Sequence, residues 1–195
     1  MREGRICPWW CCFTIDNPLR RLFHNPERML SPYIRPGFTV IDIGPGMGFF
    51  TIPMCRMVGT EGRVIAADVQ QKMLDGVMRR ARRHGLTNRL ETVQSLPGDL
   101  GVSERADFVL AFWMVHEVQE RERFLRQVAA LLEPEGRFLL VEPRLHVRER
   151  AFEATLGEAK TAGLRLIGAP GIALSRSALF APPLSRYVDI VSALV

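Results

Sequence analysis

The chain has 195 residues, 26 Lys and Arg against 21 Asp and Glu, a formal net charge of +5, and 47% hydrophobic residues. These values are ordinary for one soluble globular domain that buries a sizeable core. No run of eighteen or more apolar residues occurs, and no small-residue cleavage site follows the basic N-terminus. The sequence therefore predicts no membrane span and no signal peptide, and its expected location is the cytoplasm.

Strands and helices alternate along the predicted chain. Apolar and β-branched runs predict strands at 39–43, 63–68, 89–93, 106–115 and 137–143. Helical spacing of apolar residues predicts helices at 72–85, 120–136 and 148–163, and a closing hairpin is expected from 164–170 and 172–181. This alternation is typical of an α/β fold with a doubly wound parallel sheet covered by helices on both faces. Residues 1–30 lie outside the alternation and are expected to form a lid, and 31–195 the main domain.

The first predicted strand runs into a glycine-rich turn. Asp42 stands near its end, and glycines follow at positions 44, 46 and 48. Glycine lets a ligand approach the backbone closely, and open parallel sheets bind ligands beyond the carboxyl ends of their strands. A dinucleotide fingerprint needs glycine at 49, where this chain has Phe49, so the spacing indicates another ligand. Asp68 ends the second strand, where a carboxylate can accept both hydroxyls of a ribose.

Four stretches resemble, in order, the motifs of class I S-adenosylmethionine-dependent methyltransferases: VIDIGPGMGFFT, VIAADVQQKML, ADFVLAFWMVHEV and LLEPEGRFLLVEP. The resemblance covers residues 36–181 and is to the small-molecule branch that includes quinone-biosynthesis methyltransferases. It implies a doubly wound, mostly parallel seven-stranded sheet with an antiparallel C-terminal hairpin. It also implies S-adenosyl-L-methionine as the cofactor and a small molecule as the methyl acceptor.

The same resemblance implies where the cofactor lies. Asp68 would hold the ribose, Val69 would pack on the adenine, and Ala111 and Phe112 would border the methionine. The implied cofactor set is Asp42, Gly44, Pro45, Gly46, Gly48, Asp68, Val69, Gln94, Ser95, Ala111 and Phe112. Many relatives place an acid after the third strand, whereas this chain reads TVQSLPG. Thr92, Gln94 or Ser95 is therefore expected to hydrogen-bond the adenine instead.

Four ionisable residues are expected near the transferred methyl group. His116 and Glu117 follow the fourth predicted strand, while Glu142 and His146 lie at and just beyond the fifth. His116 has the unperturbed pKa of a general base at neutral pH. The mixed imidazole and carboxylate set also suits a divalent metal, although its spacing matches no standard metal motif, so no metal ligand is assigned. A structural role in capping and loop hydrogen bonds is the third interpretation.

The cysteines supply an alternative function. Cys7, Cys11 and Cys12 are too clustered for a disulfide framework, and Cys55 follows the glycine turn. Thiolates bind soft metals, so the alternative is a metal- or metalloid-binding protein of the methyltransferase fold. The simpler interpretation is an apolar lid in which these cysteines are buried.

Nucleic acid is the remaining class of acceptor. The basic run RRARRH at 79–84 indicates an RNA methyltransferase as a further alternative, or simply a solvated helix face. Methyltransferases that act on base amines carry D/N-P-P-Y/F/W after the fourth strand to stack a flipped base. This chain reads AFWMVH there, which argues against nucleic acid as the acceptor.

Overall fold

The alternation of strands and helices is confirmed by a computed structural model, which describes residues 20–183. Over those residues the strands are β1 (Thr39–Ile43), β2 (Arg63–Asp68), β3 (Leu90–Gln94), β4 (Ala106–Phe112), β5 (Leu132–Pro143), β6 (Arg165–Gly168) and β7 (Ser175–Ala181). The helices are α1 (Arg20–Phe23), α2 (Pro26–Leu30), α3 (Thr51–Met57), α4 (Gln71–Arg83), α5 (Arg121–Leu131) and α6 (Glu149–Thr161). Short 3-10 turns lie at Thr87–Arg89 and Val115–Glu117.

These strands form one seven-stranded sheet in the order β3-β2-β1-β4-β5-β7-β6. Strands β1 to β5 pair in parallel, and β7 runs antiparallel to both β5 and β6, as predicted. Strands β2 and β3 are added on one side of β1, and β4 and the later strands are added on its other side. A switch point therefore lies between β1 and β4, which is where sheets of this kind bind ligands. Because β7 is antiparallel, its first residue shares an edge with the carboxyl ends of β4 and β5.

Both faces of the sheet are buried. Val40 of β1 points into a hydrophobic cluster with α3 and α4, and the next residue, Ile41, points into a second cluster with α5 and α6. This alternation follows from the two-residue period of a strand. Since helices close both faces, the carboxyl edge of the sheet is left for ligands.

Strand β4 is shorter than predicted. The apolar run 106–115 is extended only to Phe112, because Trp113 has a left-handed backbone with φ of 61°. That conformation is costly for a bulky residue and breaks the extended chain. The strand therefore ends three residues early, and Val115–Glu117 forms a 3-10 turn instead.

Strand β5 is longer than predicted. The helix expected over 120–136 ends at Leu131, and the following residues extend the strand. Leu132 pairs with Ala106 across an irregularity in the ladder and is buried in the second cluster. Gly136 approaches so closely that a Cβ there would lie 2.8 Å from the Ala106 carbonyl oxygen. Tertiary burial thus decides the conformation of a stretch whose local sequence favours a turn.

Part of the expected lid lies outside the described residues. Of the segment 1–30, only residues from Arg20 onward are described, so Cys7, Cys11 and Cys12 fall outside them. Among the described helices, none has the length and apolarity needed to cross a membrane.

Candidate active site

The glycine turn lies at the carboxyl end of β1. Gly44, Gly46 and Gly48 all have positive φ, at 68°, 55° and 85°. The Gly48 N–H donates to the Pro45 carbonyl oxygen at 3.0 Å and closes the turn. A Cβ on Gly44 would lie 2.9 Å from Cγ of Met114, so a larger residue has no room. At its three glycines the turn therefore presents backbone rather than side chains at the edge of the sheet.

Asp42 lies beneath this turn and is 2% exposed. Its Oδ2 accepts a hydrogen bond from the Thr51 hydroxyl at 2.6 Å. Burial raises the pKa of Asp42 to about 7. The Thr51 hydrogen bond and the charge of Arg20 lower this pKa, whereas the charge of Asp68 raises it further. Asp42 is thus a costly buried acid, held in place by the first residue of α3.

Asp68, predicted to hold the ribose, ends β2 and is half-buried. Its Oδ1 accepts the Gln70 N–H at 2.8 Å. Burial raises the pKa of Asp68 to about 6; backbone hydrogen bonds from Gln70 and Val69 lower it, and the charge of Glu117 raises it. The influence of Glu117 shows that the residues after β4 lie close to the end of β2.

Two exposed apolar side chains follow Asp68 and Ser95. The Ser95 N–H donates to the Asp68 carbonyl oxygen at 3.0 Å and joins the two chain segments. Val69 comes directly after Asp68, and Leu96 comes directly after Ser95. Val69 is 39% exposed and Leu96 is 65% exposed. The Ser95 hydroxyl donates to the Leu100 carbonyl oxygen at 2.9 Å. Gln94 is exposed and Thr92 half-buried, and a contact of either with adenine stays a prediction.

His116 and Glu142 form a close pair across the ends of β4 and β5. Glu142 is 2% exposed, and its Oε2 lies 2.5 Å from Nδ1 of His116. Its Oε1 also accepts the His116 backbone N–H at 3.3 Å. Because an ionised carboxylate only accepts, Nδ1 carries the hydrogen and Nε2 is bare in the neutral ring. Burial alone lowers the pKa of His116, but the Glu142 hydrogen bond and the charges of Glu142 and Glu117 outweigh it and raise the pKa above 6.5.

The other two predicted residues lie beside this pair. Oε1 of Glu117 is 3.9 Å from Nε2 of His116, too far for a hydrogen bond. The rings of His116 and His146 stack with centroids 6.2 Å apart. All four predicted residues are therefore brought together, as the sequence indicated. Within residues 20–183, no group of three or more His, Cys, Asp and Glu side chains is arranged to hold a metal ion.

Cys55, the fourth cysteine, lies in the core rather than at the site. Its side chain is fully buried in α3. Burial raises the pKa of this thiol to about 12, with the charge of Asp42 adding to the rise and that of Arg89 opposing it. The thiolate that a soft metal requires is therefore disfavoured at this position.

An aromatic cluster borders the end of β4. Ala111 is buried within the sheet, and the Phe112 ring packs on Phe50 with centroids 4.4 Å apart. The guanidinium carbon of Arg20, from α1, lies 4.4 Å from the centroid of the Phe49 ring and 5.2 Å from that of Phe112. Such distances permit cation–π attraction. The segment before β1 thus contributes a cation to this aromatic cluster.

Sequence reasoning missed four residues at this edge. These are Arg20, His24, Thr51 and Leu96. Arg20 and His24 fall in the segment 1–30, which the sequence predicted as a lid without naming contacts. Thr51 could have been found as the first hydroxyl residue after the glycine turn. Leu96 had no local signal, because an exposed leucine is common.

Comparisons with known proteins agree with the predicted family. A family model described as a methyltransferase domain matches residues 40–136. The ubiquinone/menaquinone biosynthesis C-methyltransferase UbiE of Escherichia fergusonii is 31% identical over 125 residues, which are 62% of this chain and 50% of that protein. The chain thus spans about half the length of the curated relatives that it matches.

Solved structures share the fold. A S-adenosylmethionine-dependent methyltransferase from Aquifex aeolicus superposes with a TM-score of 0.80 at 22% identity, covering 90% of this chain and 98% of that one. The [4+2]-cyclase SpnF superposes with a TM-score of 0.69 at 15% identity, covering 83% of this chain and 81% of the cyclase. Because a cyclase shares it, the fold by itself does not decide the reaction.

Proposed function

We propose that this chain methylates a small-molecule acceptor. The chain belongs to the class I S-adenosylmethionine-dependent methyltransferase family, in its quinone-biosynthesis-like branch. When bound, S-adenosylmethionine supplies an electrophilic methyl group on its sulfonium sulfur. The chain's own residues then have two tasks. They hold the cofactor with its methyl group toward the acceptor, and they remove a proton from the acceptor.

The residues at the β1–β2 end fit this cofactor. Asp68 would accept the ribose hydroxyls, and the exposed side chains of Val69 and Leu96 would cover an adenine ring. The backbone at Gly44, Gly46 and Gly48, where no side chain projects, leaves room for the methionine part above Asp42. Each of these features pairs a chemical group of the cofactor with a suitable partner: a carboxylate for hydroxyls, apolar surface for a planar base and bare backbone for close approach.

The observation that carries the proposal is the hydrogen bond between Glu142 and His116, in which Oε2 lies 2.5 Å from Nδ1. The buried carboxylate fixes the ring and its tautomer, so that Nε2 is the nitrogen left to take a proton. The negative charge of Glu142 also stabilises the imidazolium that forms. His116 is therefore proposed as the general base and Glu142 as the residue that orients it.

A general base favours an acceptor that becomes nucleophilic by losing a proton. A hydroxyl on an aromatic ring fits, because its deprotonation raises electron density both on the oxygen and on the ring carbons. The relative's printed name, a C-methyltransferase of quinone biosynthesis, supports a ring of that kind. We therefore place a hydroxylated aromatic ring over the ends of β4 and β5, with one hydroxyl toward His116.

The test is release of S-adenosylhomocysteine, measured by mass spectrometry. The purified chain is given S-adenosylmethionine with one acceptor class at a time: phenols and naphthols, thiols, arsenite, amines or transfer RNA. Turnover is expected with the hydroxylated aromatic rings. Binding of S-adenosylhomocysteine is measured on the same sample by calorimetry.

Either measurement, turnover or binding of S-adenosylhomocysteine, can contradict the proposal. Turnover confined to thiols or arsenite would move the chemistry to the N-terminal cysteines, and turnover confined to transfer RNA would replace the small molecule. Failure to bind S-adenosylhomocysteine would remove the cofactor site itself. A matched Cys7, Cys11 and Cys12 to serine variant is expected to keep its turnover on a naphthol.

A further inference from the structure

His24 lies at the carboxyl end of β4, against Phe112 and Trp113, and has no role in the proposed reaction. It follows α1 and is 1% exposed. Its ring meets the rings of Phe112 and Trp113 edge-on, with centroids 5.3 and 5.2 Å away. Both partners stand at the carboxyl end of β4, immediately before the segment that holds His116. The N-terminal segment thus delivers an imidazole to the edge where the methyl group is transferred.

One hydrogen bond defines the tautomer of this ring. Nε2 of His24 lies 2.8 Å from the carbonyl oxygen of Ala173, in the loop between β6 and β7. A carbonyl oxygen only accepts, so Nε2 carries the hydrogen and Nδ1 of the neutral ring is a bare acceptor. Burial lowers the pKa of His24, the Ala173 bond opposes that shift and the charge of Arg20 adds to it, which keeps the ring neutral.

Nδ1 is buried and has no hydrogen-bond partner among the described residues. A buried polar atom without a partner destabilises the fold, and such atoms are rare in native proteins. The Ser175 hydroxyl donates to the Ala173 carbonyl oxygen at 3.0 Å and accepts the Trp113 Nε1–H at 3.0 Å. The Ser175 hydroxyl is therefore engaged by its two neighbours, and Nδ1 of His24 is left without a partner among the described residues.

The ring is held in place by strained backbone on both sides. Trp113 has φ of 61° and Leu174 has φ of 57°, conformations that bulky residues rarely adopt. The Arg144 N–H donates to the Leu174 carbonyl oxygen at 3.0 Å and ties the loop to the end of β5. Strain of this kind is found where surrounding contacts hold a site in a required geometry.

We propose that His24 binds the methyl acceptor, its bare Nδ1 accepting a hydrogen bond from a second hydroxyl of the ring. This inference rests on the proposed function, in which His116 takes the proton of the first hydroxyl. With one hydroxyl at each histidine, the ring is fixed in orientation, and the carbon or oxygen to be methylated is selected. His24 is then a residue of substrate specificity, contributed by the segment before β1.

Two probes that differ by one donor test the inference. They are 1,4-dihydroxynaphthalene, kept reduced, and 4-methoxy-1-naphthol, whose methoxy group cannot donate. The variant is His24→Gln, because a glutamine amide can reach the Ala173 carbonyl oxygen as Nε2 does but offers nothing at Nδ1. KM for the diol is expected to rise about tenfold, the net worth of one hydrogen bond. KM for the methoxy probe is expected to change less than twofold.

Two controls separate specificity from folding. In His24→Gln the unfolding midpoint is expected not to fall, because the Ala173 hydrogen bond is kept and a buried unpartnered nitrogen is removed. The affinity for S-adenosylhomocysteine is expected to be unchanged. His24→Asn is the converse variant, since its shorter amide reaches the Nδ1 position but not Ala173. It is expected to lower the unfolding midpoint while preserving part of the preference for the diol.

The outcomes distinguish the two proposals. Equal effects of His24→Gln on both probes, or none on either, would overturn the role of His24 and leave the methyltransferase proposal standing. A wild-type chain that binds S-adenosylhomocysteine but methylates neither probe would overturn the aromatic acceptor, and the role of His24 with it. That second result is seen before any variant is made.

Discussion

The proposed cofactor side of the sheet edge and its proposed acceptor side are built in different ways. The cofactor side comes from one continuous stretch, β1 and its glycine turn, with Asp68 added by the adjacent β2. The acceptor side joins His116 after β4, Glu142 of β5 and His24 from the N-terminal segment. Backbone shape dominates the first, and side-chain pairs between distant elements dominate the second.

The electrostatics of the two sides differ in the same way. On the cofactor side, Asp42 and Asp68 both have a raised pKa, chiefly because they are buried. On the acceptor side, the His116 imidazole has an anionic partner at 2.5 Å, whose charge and hydrogen bond overcome the effect of burial. The cofactor side thus holds buried acids whose ionisation is unfavourable, whereas on the acceptor side the imidazole of His116 already has a carboxylate partner. Each side is expected to respond differently to the loss of a charge.

The largest expected effect is the loss of the base on the acceptor side. His116→Ala is expected to lower kcat by about 10²- to 10⁴-fold, the usual contribution of a positioned general base. Affinity for S-adenosylhomocysteine is expected to stay within about threefold, because His116 belongs to the acceptor side. Turnover and calorimetric titration measure the two quantities. His84→Ala, at an exposed histidine after α4, is the control, and unchanged turnover in His116→Ala would remove it as the base.

The next largest effect is expected on the stability of the chain, from the buried acid Asp42 on the cofactor side. The pKa of Asp42 rises from 3.8 to about 7, so the folded chain keeps a proton that the unfolded chain releases between those pH values. Stability of the cofactor-free chain is therefore lost as pH rises through that window. The amide oxygen of Asp42→Asn can still accept from Thr51. This variant is expected to raise the free energy of unfolding by up to about 4 kcal/mol at pH 8 and by almost nothing near pH 4.

Urea unfolding of both proteins across this pH range measures the difference. Asp75→Asn is the matched control, because Asp75 is an exposed carboxylate on α4. Its unfolding free energy is expected to run parallel to that of the wild type. If the Asp42→Asn curve were also parallel, the electrostatic contrast between the two sides would be wrong.

A smaller effect is expected from the acid at the end of β2. Asp68→Ala removes two hydrogen bonds to a charged acceptor, each worth about 1.5 kcal/mol, so S-adenosylhomocysteine should bind about 10²-fold more weakly. Calorimetric titration measures the change, with Asp75→Ala as the control. Unaltered affinity would show that Asp68 does not hold the ribose.

The smallest expected effect sharpens the acceptor side. Glu142→Gln removes the charge that raises the pKa of His116, so that pKa falls. The acid limb of the kcat profile is then expected to move to lower pH, because the base form of His116 persists there. The plateau at high pH is expected to drop about tenfold, since a less basic imidazole accepts a proton less readily. A profile that keeps its position would separate Glu142 from the titration of His116.

Much of the fold could be predicted because its signals are local. The bounds of β1 and β2 match the prediction to the residue, since β-branched runs with a strand-end acid specify a buried strand. The ends of β4 and β5 could not be predicted in this way. Trp113 takes a left-handed backbone, and Leu132 joins the sheet, only because of contacts with residues far along the chain.

The residues proposed to hold the cofactor could likewise be named from the sequence, because the glycines and the strand-end acids lie within a few dozen residues of one another. The acceptor side was accessible only as a group of candidates. Sequence placed His116 and Glu142 near the same edge, but their pairing depends on the parallel alignment of β4 and β5. His24 had no signal at all, because its neighbours Phe112 and Ala173 are far from it in sequence.

The sequence by itself determined the order of strands and helices, the glycine turn and the two acids at the ends of β1 and β2. It could do so because strand propensity, periodicity and turn geometry act between near neighbours. Tertiary structure alone decided which nitrogen of His116 bonds to Glu142 and which atom of His24 is left bare. Those states depend on single hydrogen bonds, to Glu142 and to Ala173, that form only when the sheet brings distant residues within 3 Å.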